Sequence, residues 1–448
     1  MRVSALAEPT AARFLLVWGA AIAMVLPGCT WAERQPVESR PNVVVFVVDD
    51  LGWVDTGVYG SMFHQTPAID QLAAEGVRFT QFYADSSVCS PTRASLMTGR
   101  HAARLQLTNW IGGEQAGQLI QADYVRQLPL AERTLGEAFR DAGYATGYIG
   151  KWHLGTGAFR PEGQGFEYQF AVNDGGQPGS YFPPYANSGM AFTDVPDLET
   201  DVEPAYLTDR LTDAAVDFIG ARESPFLLVL SHYAVHTPLE SKPELVAKYA
   251  TRVEPSDEPE FEDEHGYGDT KLRQEHPTYA GMLESTDDSL ARVMTALDQA
   301  GIADSTIVVF VSDNGGLSTL AARPERAPTS NEPLRAGKGW LYEGGIRIPM
   351  IVRWAGGLPA GTRSEVPATT ADLLPTLLEL AGIDSVSLPV LDGVSLAATL
   401  AGETMSERPL FWHFPHYHGS GNRPSGAVRG CGSGSGSRGS SRARFRVS

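Results

Sequence analysis

Two pairs of adjacent oxygen-bearing side chains stand out in a chain of 448 residues: Asp49-Asp50 and Asp313-Asn314. Carboxylate and amide oxygens are the ligands that hard divalent cations such as Ca²⁺ and Mg²⁺ prefer, so the pairs form a candidate metal set. Cations and proton carriers accompany them: Lys151, His153, His236 and, in the glycine-rich run Arg335-Ala336-Gly337-Lys338-Gly339, Lys338. A metal combined with lysines, an arginine and histidines suits a tetrahedral oxyanion ester, because charge on the group being transferred has to be neutralised. Cys89, one of three cysteines, opens the stretch Cys89-Ser90-Pro91-Thr92-Arg93. Pro91 suits the first turn of a helix, which puts Cys89 at the positive helix end near Arg93, where a thiolate would be stabilised. Two readings of Cys89 stand at this point, a cysteine nucleophile and a small buried thiol. The oxygen-rich metal set is a poor partner for soft sulfur.

These residues have to be positioned by regular elements. Val43 to Val48 is apolar without alternation, which predicts a strand buried on both faces, and it ends in Asp49-Asp50. Thr66 to Gly76 has a capping residue, a proline in the first turn and a closing glycine, which predict a helix, followed by a strand over Val77 to Phe82. Strands are then expected over Ala145 to Ile149, Phe226 to Leu230 and Thr306 to Val311. Helices are expected over Pro91 to Met97, Leu135 to Asp141, Leu207 to Arg222, Tyr279 to Ala300 and Thr370 to Leu380. This alternation predicts an α/β fold, a large doubly wound and mostly parallel sheet flanked by helices. Four of the strands end in polar residues: Asp49-Asp50, Lys151 with His153, His236, and Asp313-Asn314. In such sheets ligands bind beyond the carboxyl ends of the strands, so the four ends are expected to converge on one site.

A 42% hydrophobic content supports a large core, and a formal charge of −18 argues against a general nucleic-acid binder. Arg2 and Arg13 precede the apolar run Phe14 to Leu26, and Leu26-Pro27-Gly28-Cys29 follows, so residues 1–29 read as an export signal whose lipobox-like end would lipidate Cys29. Plain signal-peptide cleavage nearby is the alternative. Export to the periplasm or cell surface is the expectation, with membrane contact only through the lipid. Residues 30–400 read as the catalytic domain, with an acidic surface loop between about Glu240 and His276, and 401–429 as the start of a smaller α+β subdomain. Residues 430–448 form a Gly/Ser/Arg tract whose composition cannot build a core and predicts a flexible tail.

The stretch Cys89-Ser90-Pro91-Thr92-Arg93, extended through Thr98-Gly99-Arg100, resembles the signature of the formylglycine-dependent type I sulfatases, arylsulfatase-like members of the alkaline phosphatase superfamily. The resemblance covers roughly Asn42 to Arg429; members of the family normally continue with further strands and a helix, so by the same resemblance the tract over 430–448 marks the C-terminal subdomain as truncated, as a frameshift would leave it. The resemblance implies that Cys89 is oxidised by a formylglycine-generating enzyme to formylglycine, an aldehyde that is hydrated at rest. It also implies that Asp49, Asp50, Asp313 and Asn314, with modified Cys89, bind a metal, most often Ca²⁺, with Mg²⁺ the alternative. By the same resemblance Arg93 holds the hydrate, Lys151 and His153 form the family's basic motif, and Lys151, His236 and Lys338 bind sulfate. One hydroxyl of the hydrate then attacks sulfur, aided by Asp313, while His236 protonates the departing alcohol. His153 next helps the second hydroxyl to expel sulfate and restore the aldehyde. Serine lacks that second hydroxyl, which is why the modification is needed.

Exported members of such a family suit glycan breakdown, so a sulfated carbohydrate is the expected substrate. Candidate sugar contacts are Asn173-Asp174, Trp340 and the run from Phe411 to His418, for which packing of the second subdomain is the alternative. A phosphonate or phosphodiester hydrolase of the same superfamily can share the cysteine signature. From a different class, the anomalous tail leaves room for an inactive glycan-binding pseudoenzyme.

Overall fold

Successive residues of the first strand enter two different hydrophobic layers. In β1 (Asn42–Val48), Val43, Val45 and Val47 pack into one buried cluster while Val44, Phe46 and Val48 pack into another. A strand with both faces covered has no use for polar alternation, and each such side chain contributes about 1.5–3 kcal/mol on leaving water. The computed structural model describes residues 40–114, 117, 120–189, 192–199, 205–221, 225–384, 388–420, 425–431 and 444–447, the last two segments by backbone alone. The proposed export signal and Cys29 lie outside the described residues. No helix among the described residues is long and apolar enough to cross a membrane.

The main sheet is completed by β2 (Val77–Phe79), β3 (Ala145–Gly150), β4 (Tyr168–Phe170), β5 (Phe226–Ser231), β6 (Thr306–Ser312), β7 (Met350–Arg353) and β8 (Thr362–Ser364). Its spatial order is β8-β2-β7-β6-β1-β5-β3-β4, and only β7 runs against the rest. One face is covered by α2 (Cys89–Thr98) and α5 (Leu373–Leu380), through residues such as Leu96, Met97, Leu374 and Leu377. The other is covered by α1 (Pro67–Glu75), α3 (Leu207–Ala221) and α4 (Pro277–Gln299), through Ile69, Leu72, Leu211, Leu290 and Val293. The doubly wound, mostly parallel sheet expected from the alternation is therefore present.

Several boundaries move for identifiable reasons. The strand expected over Val77 to Phe82 breaks after Phe79, because Phe82–Tyr83 leaves the main sheet to pair with Ala368–Thr369. The helix expected from Thr370 starts as a 3₁₀ turn, where Thr369 and Asp372 cap each other's backbone amides, and becomes α-helical at Leu373. The acidic stretch is not simply a loop. It contains a helix (Pro243–Ala250) and two short strands, Phe261–Asp263 and Asp269–Lys271, the second of which pairs with Thr319–Leu320. At the C-terminus β9 (Pro409–Phe414), β10 (Ser425–Cys431) and β11 (Arg444–Val447) form a small antiparallel sheet. The tail expected to lack structure thus contributes its first two residues and Arg444–Val447 to strands.

Asp287 of α4 ties two helices together. Its carboxylate accepts from the amides of Ala68 (3.0 Å) and Ile69 (2.8 Å), orphan donors in the first turn of α1, where Thr66 gives no side-chain cap. Burial pushes this carboxyl from 3.8 up to about 6, against the two amide donors. A raised folded-state value means that its contribution is full below about pH 3.8 and is lost as pH rises through about 6. Asp287→Asn keeps an acceptor without the titration, so its melting temperature is expected to vary less than wild type between about pH 4 and 7. Equal slopes would show that Asp287 does not carry the pH dependence.

Candidate active site

Strands β1, β3, β5 and β6 are parallel neighbours, so the polar residues that follow them all emerge at one edge of the sheet. Asp49 and Asp50 leave β1, Lys151 and His153 leave β3, His236 follows β5, and Asp313 and Asn314 leave β6. Lys151 is brought close by Gly150, whose φ is +90° and where a Cβ would lie 2.1 Å from the Ser231 carbonyl oxygen. Only glycine permits that approach. Asp50 (φ 60°) and His153 (φ 56°) themselves adopt the left-handed backbone that non-glycine residues seldom hold, and such strain is typical of functional positions.

The carboxylates meet in a buried cluster. Oxygens of Asp49, Asp50 and Asp313 and the Cys89 sulfur lie within 4.8 Å of one another, and Cys89 Sγ is 3.7 Å from Asp49 Oδ1. Each carboxylate has a basic partner: Lys151 Nζ is 2.5 Å from Asp49, Lys338 Nζ 2.7 Å from Asp50, and Arg93 Nε 2.8 Å from Asp313. Burial pushes the Asp49 carboxyl well above the usual range, with repulsion from Asp313 adding to it and Lys151 opposing. Burial also opposes charge on Asp50 and Asp313. Lys338 and His236 outweigh it for the first and Arg93 and Lys151 for the second, so both lie below the carboxylate range. Lys338 stays charged for the reciprocal reason, since Asp50 overcomes its burial.

Asn314 Nδ2 donates to Asp50 Oδ1 (2.7 Å) and to the Gly315 carbonyl (3.0 Å), which turns Oδ1 away with no partner although it is buried. Three carboxylates gathered within 4.8 Å, with a buried amide oxygen lacking a partner on the residue next to Asp313, are the donor types an oxygen-ligated cation uses. Asp49, Asp50, Asp313 and Asn314 therefore fit a hard divalent ion.

The histidine tautomers follow from their partners. His153 Nε2 faces the Ile111 carbonyl (3.1 Å), so it carries the proton, and the buried Nδ1 is an acceptor without a partner. His236 Nδ1 faces the Thr237 carbonyl (2.8 Å), so the neutral ring presents a bare Nε2, 3.7 Å from Asp50. Burial, reinforced by Lys338, holds His236 down to about 3 against the pull of Asp50, and burial with Lys151 holds His153 well below its ordinary value.

Cys89 departs from one expectation. The helix expected from Pro91 starts at Cys89 itself, so Cys89 does lie at the N-terminal end of α2, yet burial pushes its thiol up to about 12 despite Lys151 and Lys338. Burial outweighs the helix end there, which disfavours a thiolate and with it the plain cysteine nucleophile. Arg93, one turn on, donates through Nη1 to the Lys151 carbonyl (2.6 Å) and to Ser231 Oγ (2.7 Å), leaving its buried Nη2 open. Ser231 and the Tyr148 hydroxyl, which donates to the same Lys151 carbonyl (2.6 Å), were not among the candidates. A polar residue closing the apolar strand Phe226–Ser231 was the available signal for the first; nothing local pointed to the second.

The sulfatase family model matches residues 41–383 of this chain. The N-acetylgalactosamine-6-sulfatase of Mus musculus is 33% identical over 428 residues, covering 91% of this chain and 74% of that protein. Arylsulfatase A of Homo sapiens is 33% identical over 402 residues, covering 85% and 72%. The crystal structure of Ps i-CgsB in complex with k-i-k-neocarrahexaose superposes with a TM-score of 0.68 at 29% identity, covering 88% of this chain and 84% of that one. With a family model spanning most of the sequence and relatives similar across the whole sheet, the chain belongs to the sulfatase family, enzymes that hydrolyse sulfate esters.

Proposed function

We propose that the enzyme releases sulfate from sulfated carbohydrates, with formylglycine made from Cys89 as nucleophile and Ca²⁺, or Mg²⁺ in its place, on Asp49, Asp50, Asp313 and Asn314. The observation that carries this reading is the meeting of Cys89 with three carboxylates and their basic partners at one edge of the sheet. Maturation is a two-electron oxidation of the Cys89 β-carbon on a separate enzyme: the C–S bond breaks and sulfur leaves as sulfide, one atom of dioxygen becomes the carbonyl oxygen, and the other becomes water with two further electrons from a thiol reductant, which ends as a disulfide. Maturation replaces a thiol that burial keeps inert.

When bound, the cation neutralises charge on the sulfuryl oxygens and makes the nucleophilic hydroxyl more acidic. Arg93 Nη2, which makes no hydrogen bond and lies 4.0 Å from Asp49 Oδ1, orients the hydrated side chain. Lys151 and Lys338 hold the sulfate oxygens. His236 needs a second proton at Nε2 to protonate the departing alcohol, and an arriving sulfate anion favours that charged ring. The open Nδ1 of His153 is an acceptor for the proton of the second hydroxyl. A carbohydrate substrate is supported by the name of the mouse relative and by the neocarrahexaose bound to Ps i-CgsB.

The test is peptide mass spectrometry across residue 89, on protein made with a formylglycine-generating enzyme, followed by sulfate release from a panel of sulfated saccharides. An aldehyde at 89 with saccharide turnover is expected. Faster turnover of phenylphosphonate or phosphodiesters would move the enzyme to the other branch of the superfamily. Sugar binding without turnover by fully matured protein would mark a pseudoenzyme.

A further inference from the structure

One short C-terminal segment, His416 to Ser420, touches both walls of the site. On one side His416 Nε2 lies 2.8 Å from Thr108 Oγ1, and its ring packs edge-on against Tyr124 at 5.2 Å. The Tyr124 hydroxyl donates to the Trp110 carbonyl (3.0 Å), and the next carbonyl, that of Ile111, holds His153. On the other side Trp340 Nε1 donates to the Ser420 carbonyl (3.1 Å). Gly339, next to Lys338, has no room for a side chain: a Cβ there would lie 2.4 Å from His418 Nδ1 and 2.5 Å from Ser420 Oγ.

His418 therefore rests on the backbone that carries Lys338. The Ser420 amide donates to His418 Nδ1 (3.2 Å), and the Ser420 hydroxyl lies 3.0 Å from the same nitrogen. A ring nitrogen that accepts an amide proton carries none in the neutral imidazole, so the proton is on Nε2. Nε2 has no protein partner among the described residues, and His418 keeps part of its surface accessible. Burial and the Lys338 ammonium favour the neutral ring, against Asp50. The rest of the aromatic run is used otherwise: Trp412, Phe414 and His416 are buried, while half-exposed Phe411 lines a separate cleft with His101 and Arg104.

We propose that His418 is a specificity-determining residue, whose Nε2–H donates to a hydroxyl or ring oxygen of the sugar that bears the sulfate. The assignment rests on the carbohydrate reading above. Lys151, His236 and Lys338 address the anion, which every sulfate ester shares. A neutral donor fixed beside Lys338 addresses the alcohol half and adds no further cation to compete for sulfate. A site built to hydrogen-bond a hydroxyl discriminates against substrates that lack it.

Matured enzyme, His418→Ala and His418→Gln are compared by kcat/KM on N-acetylgalactosamine 6-sulfate, or whichever panel saccharide wild type cleaves fastest, and on 4-nitrophenyl sulfate, which has no sugar. His418→Ala is expected to lower the saccharide-to-aryl ratio about tenfold, and Gln, whose amide nitrogen falls near the Nε2 position, to restore part of it. A purely structural role would lower both substrates together and leave the ratio unchanged, which would overturn the assignment. If Ala lowers the melting temperature, His418→Phe keeps the ring volume without the donor and is read the same way. If wild type cleaves 4-nitrophenyl sulfate but no saccharide, the carbohydrate reading falls and takes this assignment with it. If wild type cleaves the saccharide and the ratio stays fixed, only the assignment of His418 falls.

Discussion

Cys89→Ala is expected to lower sulfate release by on the order of 10⁵-fold in matured protein, the scale seen when a nucleophile is removed. The thiol makes one polar contact, 3.7 Å to Asp49, and its loss leaves the three carboxylates paired with Lys151, Lys338 and Arg93. Stability should therefore fall by only about 1 kcal/mol, as for an ordinary small change. Cys89→Ser separates the proposed chemistry from simpler schemes. One hydroxyl can accept the sulfuryl group, but no second hydroxyl on the same carbon expels it. In a host unable to convert serine, a chromogenic aryl sulfate should give a single burst of alcohol, at most equal to the enzyme, with no free sulfate. Continuous sulfate release by either variant would mean that residue 89 is not the nucleophile.

The sheet and the convergence of the site were legible because both arise from simple patterns. An apolar run without alternation, as in Val43 to Val48, has to be buried on both faces, and parallel strands deliver the residues after them to a common edge. That is how four separate strand ends could be read as one site before any contact was known. The features that stayed hidden depend on contacts between distant parts of the chain. The acidity of Cys89 is set by its burial among Lys151, Lys338, Asp313 and Asp49, which come from distant parts of the chain, and helix position alone suggests the opposite sign. Tyr148 acts through a carbonyl, which leaves no trace in side-chain types. The run from Phe411 to His418 looked uniform, yet its members face three surroundings, since a bulge after Trp412 and the turn at Gly419 redirect them. The acidic stretch was read as a loop because prolines and charges dominate it. Its strands are three residues each, too short for a periodic signal.

Removal of divalent cations with EDTA is expected to lower activity on the order of a thousandfold or more, since a Lewis-acid contribution of several kcal/mol is lost. The deeper expectation concerns charge. Three buried carboxylates face Lys151, Lys338 and Arg93, and two of those cations are the ones proposed to hold sulfate. Without a divalent ion, Lys338 is spent on the charged Asp50 carboxylate and Lys151 on its 2.5 Å contact with Asp49, whose charge burial opposes, so a sulfate ester must compete with both for the lysines. A bound cation takes over that neutralisation and turns the lysines toward the substrate, so chelation should raise the dissociation constant for inorganic sulfate as well as slow the chemistry. Calorimetry with sulfate, in the presence of Ca²⁺ and of EDTA, measures this without turnover. Ca²⁺ at about a hundred times its dissociation constant should also stabilise the fold by about 2.7 kcal/mol. Asn314→Ala, which removes the open Oδ1, should weaken Ca²⁺ binding in the same titration. If sulfate binds equally well in EDTA and the melting temperature ignores Ca²⁺, the carboxylate cluster is a closed ion-pair network and the metal reading of Asp49, Asp50, Asp313 and Asn314 is wrong.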